Sequence, residues 1–300
     1  MSSHEGWVAY TYYPSMGAAV VFIILFAIVT LLHTFHLFRT RTWFFVPLVI
    51  GGYCTYLNPN APYPFMLTKP VELIGYIGRA MSSNQSPNWT IGPYVMQSTL
   101  LLVAPALFAA SIYMELGRVI LMVKGEQLAL IRVSWMTKIF VAGDVLSFLM
   151  QASGAGIMVT GSEGSASTGQ NVIIGGLFVQ IVFFGFFLIS AVVFQCRVSA
   201  HPTAAAVASQ VPWTKHMWAL HSSSILVLIR SVVRVIEYIQ GTYGYVMSHE
   251  AFIYVFDGLL MFVVTAIFIA VHPSEVNFLL GRGRAVTAMG GLRVKEGSIV

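Results

Sequence analysis

The stretch Trp218–Gln240, WALHSSSILVLIRSVVRVIEYIQ, is apolar enough to cross a bilayer, yet its second half carries Arg230, Arg234 and Glu237. About 20 predominantly apolar residues make a spanning helix, so length alone argues for one here. Spaced four and three apart, the charges line up along one stripe of that helix. An ionised side chain at bilayer depth costs about 2.5–3.5 kcal/mol on insertion scales, so three on one face require partners or water. The rest of the chain is therefore expected to supply acids, polar groups and a cavity facing this helix.

Composition points the same way. Of 300 residues, 57% are hydrophobic and 9% charged, which does not describe a soluble domain. The apolar runs are continuous rather than alternating, which selects helices over barrel strands. Counted between polar breaks, they predict an all-α membrane protein, a seven-transmembrane helix bundle. Around it the sequence divides into an extracellular N-terminus (1–15), the helical domain (16–273) and a flexible basic cytoplasmic tail (274–300). The formal net charge of +5 forms no isolated basic patch and there is no zinc motif, so nucleic acid is not an expected partner. Cys54 and Cys196 give no disulfide framework; Cys196, beside Arg197, reads as a buried thiol, with palmitoylation as the alternative. The first fifteen residues lack a basic n-region and a small-residue cleavage site, so the first span is expected to direct insertion itself.

Span one, Met16–Phe38, ends at Arg39 and Arg41, with His33 and His36 three apart near that end. Without HExxH or another clustered ligand set they read as interfacial or capping histidines, and no metal or cofactor is expected. Span two is interrupted: Trp43–Cys54 and Val71–Met81 are apolar, but Thr55–Pro70 between them holds Pro59, Pro62, Pro64 and Pro70. Those prolines exclude a continuous helix. Joining the apolar halves restores a 23-residue run, so Thr55–Pro70 reads as an insertion, with a broken cavity-lining helix as the alternative. Beyond Met81, Asn84 and Asn88 each begin an N-x-[ST] pattern, which suits glycosylation on an extracellular or lumenal side.

Span three, Pro93–Leu116, is bounded by Glu115 and Arg118. Span four, Lys138–Val159, places Asp144 and Gln151 seven apart on one face; its small residues Ser153, Gly154 and Gly156 invite close helix approach. Span five, Val172–Phe194, carries Gln180, and span seven, Ala251–Val271, brings Glu250 and Asp257, again seven apart. Twelve Lys and Arg residues (Arg39, Arg41, Arg118, Lys124, Arg132, Lys138, Arg197, Lys215, Arg282, Arg284, Arg293 and Lys295) alternate onto one side; the other side has none once Thr55–Pro70 is set aside. This positive-inside pattern puts the N-terminus outside and the C-terminus in the cytoplasm.

The candidate polar network comprises Glu72, Arg79, Asp144, Gln151, Arg230, Arg234, Glu237 and Asp257. The simplest pairing sets Arg234 and Arg79 against Asp257, Glu72 and Glu237, with Arg230 reaching toward Asp144. Buried ion pairs can simply hold a bundle together, but intramembrane ionisable groups usually mark a ligand or ion pathway. A charge-lined path between apolar walls suits an amphiphile with a charged head and a greasy tail.

The runs GYIGRA (Gly75–Ala80), LLLVAPALFAASIYMELGR (Leu100–Arg118), TKIFVAGDVLSFLMQASGAG (Thr137–Gly156), IIGGLFVQIVFFGFF (Ile173–Phe187), LIRSVVRVIEYIQG (Leu228–Gly241) and SHEAFIYVFDGLLM (Ser248–Met261) resemble the fungal RTA-like family, the lipid-translocating exporters. The resemblance covers about Tyr13–Pro273. It implies seven transmembrane helices, a plasma-membrane or endomembrane setting, export or flipping of sphingoid bases, and resistance to toxic amphiphiles. Thr55–Pro70 departs from the family pattern, in which Gly51-Gly52 continues within a few residues into the equivalent of Glu72-Leu73-Ile74.

The partners expected are membrane lipids and an amphiphilic small molecule. No GxxxxGK[ST], GxSxG or metal-hydrolase pattern is present, so neither ATP-driven pumping nor an enzyme activity is expected. A seven-helix sensor in lipid-stress signalling is the main alternative, using Gly117–Lys138 and the basic tail as its cytoplasmic surface. A lipid hydrolase built on the scattered histidines is a weaker one.

Overall fold

Backbone polar groups in a bilayer must be satisfied within the protein, which leaves an apolar run the α-helix. Every regular element among the described residues is helical. The computed structural model describes residues 15–53, 91–159, 164–208, 212–241, 244–245 and 249–280. The chain runs through α1 (Met16–Thr40), a 3-10 turn (Trp43–Phe45), α2 (Val46–Tyr53), α3 (Ile91–Met122) and α4 (Val133–Val159). It continues through α5 (Ser165–Ala200), the short α6 (Ala204–Ala208) and α7 (Trp213–Gln240). A last rod follows: α8 (Glu250–Phe252), a π-helical stretch (Ile253–Leu259), α9 (Leu260–Ala270) and α10 (Ser274–Leu279).

Six of these helices are long and apolar enough to cross a membrane: α1, α3, α4, α5, α7 and the α8–α10 rod. The other expected span begins with the 3-10 turn and α2, which packs against α1 and α3, and then passes outside the described residues. Thr55–Pro70, Glu72, Arg79, Asn84 and Asn88 lie outside them, as does the tail beyond Leu280.

Several helix ends differ from the sequence expectation, among them the start of α4 and both ends of α5, and three of the differences bear on the site. Glu115 and Arg118 do not bound their span, since α3 runs on to Met122. Glu115 is fully buried against His216 of α7, and Arg118 lies over the Phe44 ring at 3.8 Å and donates to Asn277 of α10, so both charges meet partners on other elements while α3 continues. α7 starts at Trp213 rather than Trp218, which brings His216 into the bundle. The segment after Pro273 is not uniformly a flexible tail, because Ser274–Leu279 folds into α10 against α3.

The α4 and α5 helices lie together along much of their lengths, α5 rests on α7, and α7 rests on α3 and α9. Small residues set the first contact. A Cβ at Gly154 would stand 2.6 Å from the Gly169 carbonyl oxygen, and one at Gly176 would stand 2.9 Å from that of Ser147. Of the three small residues expected to do this on α4, only Gly154 does. Ser153 is exposed and bonds the Met150 carbonyl, while a Cβ at Gly156 would meet nothing within 4 Å. Between α3, α4 and α5, Tyr113, Phe140, Phe184 and Phe187 pack ring on ring, Tyr113 and Phe187 with centroids 4.5 Å apart. Val21, Ile24, Ile28, Leu31 and Phe35 of α1 are exposed, an apolar stripe of the kind that faces lipid.

Candidate functional site

Along α7, His216, Leu220, Ser223, Val227, Arg230, Arg234 and Glu237 recur at alternating spacings of four and three, and every one is buried. That spacing keeps them on one stripe. Opposite its upper part stands Asp257, in the middle of the π-helical stretch. Arg230 Nε lies 2.9 Å from Asp257 Oδ1, and an Arg234 guanidinium nitrogen lies 3.4 Å from Asp257 Oδ2. Another Arg234 nitrogen donates to Glu237 Oε2 at 2.8 Å. Two guanidiniums and two carboxylates cancel, which is what a low-dielectric interior demands of buried charge.

The π-helical winding explains Asp257's position. Its i→i+5 hydrogen bonds widen the turn, so Glu250 and Asp257 do not share a face as an α-helical spacing of seven predicts. Glu250 instead accepts the Ser15 backbone N–H at 2.7 Å, tying the start of α1 to α8. Val233, Phe252, Ile253 and Phe256 wall a hollow of about 10 Å³ beside Arg234, Glu237 and Asp257, room for about one water. Ionic groups on one side and aromatic and aliphatic groups on the other make this hollow amphiphilic.

A second polar cluster occupies the opposite end of the bundle. His216 Nδ1 is 3.4 Å from Glu115 Oε1 of α3, and its Nε2 is 3.4 Å from Glu275 Oε2 of α10. The His216 and Glu115 side chains are 0% exposed, whereas Glu275 reaches 20%. His272 accepts the Ser274 backbone N–H at 3.2 Å and lies near His33 and His36, ring centroids 6.4 and 5.1 Å away. His33 is not an interfacial or capping residue: it is buried, and its Nε2 bonds the Thr265 carbonyl oxygen of α9 at 2.9 Å. Among the described residues, no three His, Cys, Asp or Glu side chains are grouped to hold a metal ion.

The family described as RTA1 like protein matches residues 65–278. The chain belongs to the RTA1-like family. It is 40% identical to Protoporphyrin uptake protein 1 of Saccharomyces cerevisiae, over 89% of this chain and 92% of that protein. It is 38% identical to Protein RTA1 of the same yeast, over 90% and 86%. With the yeast Sphingoid long-chain base transporter RSB1 it shares 23% identity, over 87% and 72%. No solved structure matches the chain.

In this RTA1-like chain the residues singled out from sequence fall into separate groups. Arg230, Arg234, Glu237 and Asp257 converge. Asp144 does not join them. It accepts the Tyr113 hydroxyl at 2.9 Å between α3 and α4, so the expected reach of Arg230 toward Asp144 is replaced by its pairing with Asp257. Gln151 donates to Ser147 Oγ at 2.7 Å and to Gln180 Oε1 at 3.3 Å, while Ser147 donates to the Gly176 carbonyl at 2.7 Å. That chain of bonds joins α4 to α5. The sequence reading missed Glu115, His216 and Glu275 as a group. Glu115 looked like a boundary residue, and only the apolar pattern on both sides of it hinted that the helix runs through; His216 lay outside the span expected from Trp218, behind Pro212 and Lys215, and was not singled out.

Proposed function

We propose that the chain translocates amphiphiles, such as sphingoid bases, from the cytoplasmic leaflet outward, acting as a transporter rather than an enzyme. The observation that carries this reading is the buried, electrically balanced group of Arg230, Arg234, Glu237 and Asp257 beside an amphiphilic hollow. A charged head exchanges water for these groups, while its tail stays in lipid next to Val255 and Leu259, both exposed on the same π-helical stretch. The hollow is too small for such a head, so transport requires α7 and that stretch to part. Glu72, Arg79, Asp144 and Gln151 would line or brace the path. Relatives named as a sphingoid long-chain base transporter and a probable lipid transporter support this cargo class. The working topology is seven spans with the N-terminus outside and the C-terminus cytoplasmic, at the plasma membrane or an endomembrane.

Purified protein in liposomes with a fluorescent sphingoid base tests the reading. Transbilayer movement above the empty-liposome rate is expected, with Arg234→Ala and Glu237→Ala losing far more of it than Arg293→Ala. Movement at the empty-liposome rate ends the translocator reading and returns the chain to the sensor alternative. A relative named for protoporphyrin uptake points to a second cargo class, amphiphiles with carboxylate heads, for which Arg230 and Arg234 would be the counter-charges once parted from Asp257. A dicarboxylate porphyrin in the same vesicles tests it.

A further inference from the structure

We propose that Glu115, His216 and Glu275 form a proton-binding site that couples translocation to a transmembrane proton gradient. The inference rests on the translocator reading and names its energy source.

A neutral imidazole has one N–H and one lone pair, so it can donate to only one of two flanking carboxylates. Both His216 nitrogens face carboxylate oxygens, at 3.4 Å each. With both glutamates ionised and the ring neutral, one contact would set a lone pair against a negative charge. Neither Glu115 oxygen has a hydrogen-bond partner, and the side chain is 0% exposed, so the His216 ring is what offsets the burial of an ionised Glu115. The cluster therefore holds together with one additional proton, on the ring or on a carboxyl group. Glu275, 20% exposed, connects it to water. A proton arriving there passes to His216 Nε2 as the proton on Nδ1 passes to Glu115, leaving the ring neutral and the acid protonated; Glu115 gives it up to the opposite side only when α7 moves, so each turnover carries one proton across.

The surroundings of His216 carry further charge and titratable groups. Lys215 acts on Glu275, and His272 at the end of α9 lies within electrostatic reach of His216 and stands among His33 and His36 of α1. Arg118 of α3 is engaged with Asn277 of α10, and Arg197 of α5 donates to the Leu128 carbonyl. Within this set, His216 is the group clamped between two carboxylates.

Coupling follows from α7 itself. His216 and Arg234 lie on the same stripe of one helix, about 27 Å apart at 1.5 Å per residue. Between them Ser223 and Ser224 are fully buried, with hydroxyls that have no hydrogen-bond partner. Losing the proton removes the His216 contacts that tie α7 to α3 and α10 at one end. A rigid helix freed there shifts Arg230 and Arg234 against Asp257 at the other, where the proposed cargo path must open.

The test uses the full chain in vesicles with a fluorescent sphingoid base and an imposed gradient of one pH unit; protein-free vesicles give the passive share. One-for-one exchange is expected to shift the steady-state distribution of the probe about tenfold beyond that share, the ratio of proton activities. His216→Gln and Glu115→Gln, each checked for folding by its thermal transition, are expected to return the shift to the protein-free value. Wild-type movement that ignores the gradient overturns the coupling and leaves the translocator reading standing, and so does a tenfold shift retained by both variants. No movement by the wild type under any gradient removes both.

Discussion

Asp257 is the residue on which the charged group depends, because its two oxygens face two different arginines. Breaking a buried ion pair from one side costs about 3–5 kcal/mol, since the abandoned charge stays buried. Asp257→Ala is therefore expected to lower stability by about that amount in detergent unfolding. Arg293→Ala, in the tail, is expected to leave the transition in place, and an unchanged transition for Asp257→Ala would mean that water already reaches the arginines. Asp144 illustrates a different energetics. One of its oxygens has the Tyr113 hydroxyl and the other has no hydrogen-bond partner, so Tyr113→Phe strips the carboxyl of its donor. The expected loss is about 1–3 kcal/mol in the same measurement. These pairings were only half legible in the sequence. Arg234 and Glu237, three apart on one helix, announce themselves, whereas Arg230's partner depends on how another helix is wound.

At the scale of elements, the apolar runs identified the helices because a spanning segment must be long and continuous, and that property is visible in one dimension. Their ends were less visible. Glu115 and Arg118 read as boundaries because a charge normally stops a span, yet in the bundle each has a partner on another helix. The π-helical stretch had no sequence signal at all: IYVFDGL reads as ordinary α-helix, and its winding decides where Asp257 points. Deleting Gly258 from this stretch is expected to rewind it toward α-helix and turn Asp257 relative to α9. Protein yield should hold while transbilayer movement of a fluorescent sphingoid base falls to the empty-liposome rate; retained movement would show that the winding is incidental. The α4–α5 contact predicts differently. Leu at Gly154 would drive a side chain into the Gly169 carbonyl and Ile173, whereas Leu at Gly156 enters open space. Gly154→Leu is expected to cost about 1–3 kcal/mol or more in detergent unfolding, as overpacking does, and Gly156→Leu close to nothing.

For the whole molecule, the alternation of helices sorts the described residues onto two ends. Ser15, Gly164, Gly241 and Glu250 mark one end, tied by the Ser15–Glu250 bond and by Gln170 donating to the Tyr238 carbonyl. Arg39, Arg41, Lys124, Arg132, Lys138, Arg197 and Lys215 gather at the other, where Arg197 bonds Leu128 and Thr203 bonds Val123. Charge asymmetry of this kind orients a polytopic chain during insertion, so the basic end is expected in the cytoplasm. Thiol labelling checks it directly. Cys196 is exposed, not the buried thiol expected from the sequence, and would react, so Cys54 and Cys196 are first replaced by serine. Single cysteines then go in at Ser167, exposed near the start of α5, and at Lys124, exposed after α3. A membrane-impermeant maleimide on intact cells, with the chain at the cell surface, is expected to modify Ser167→Cys at once and Lys124→Cys only after permeabilisation. The reverse pattern would turn the molecule over. It would put Glu275 on the outer face and make the proposed proton site open to the medium rather than to the cytoplasm, so the topology also fixes which way a gradient must point to drive outward movement.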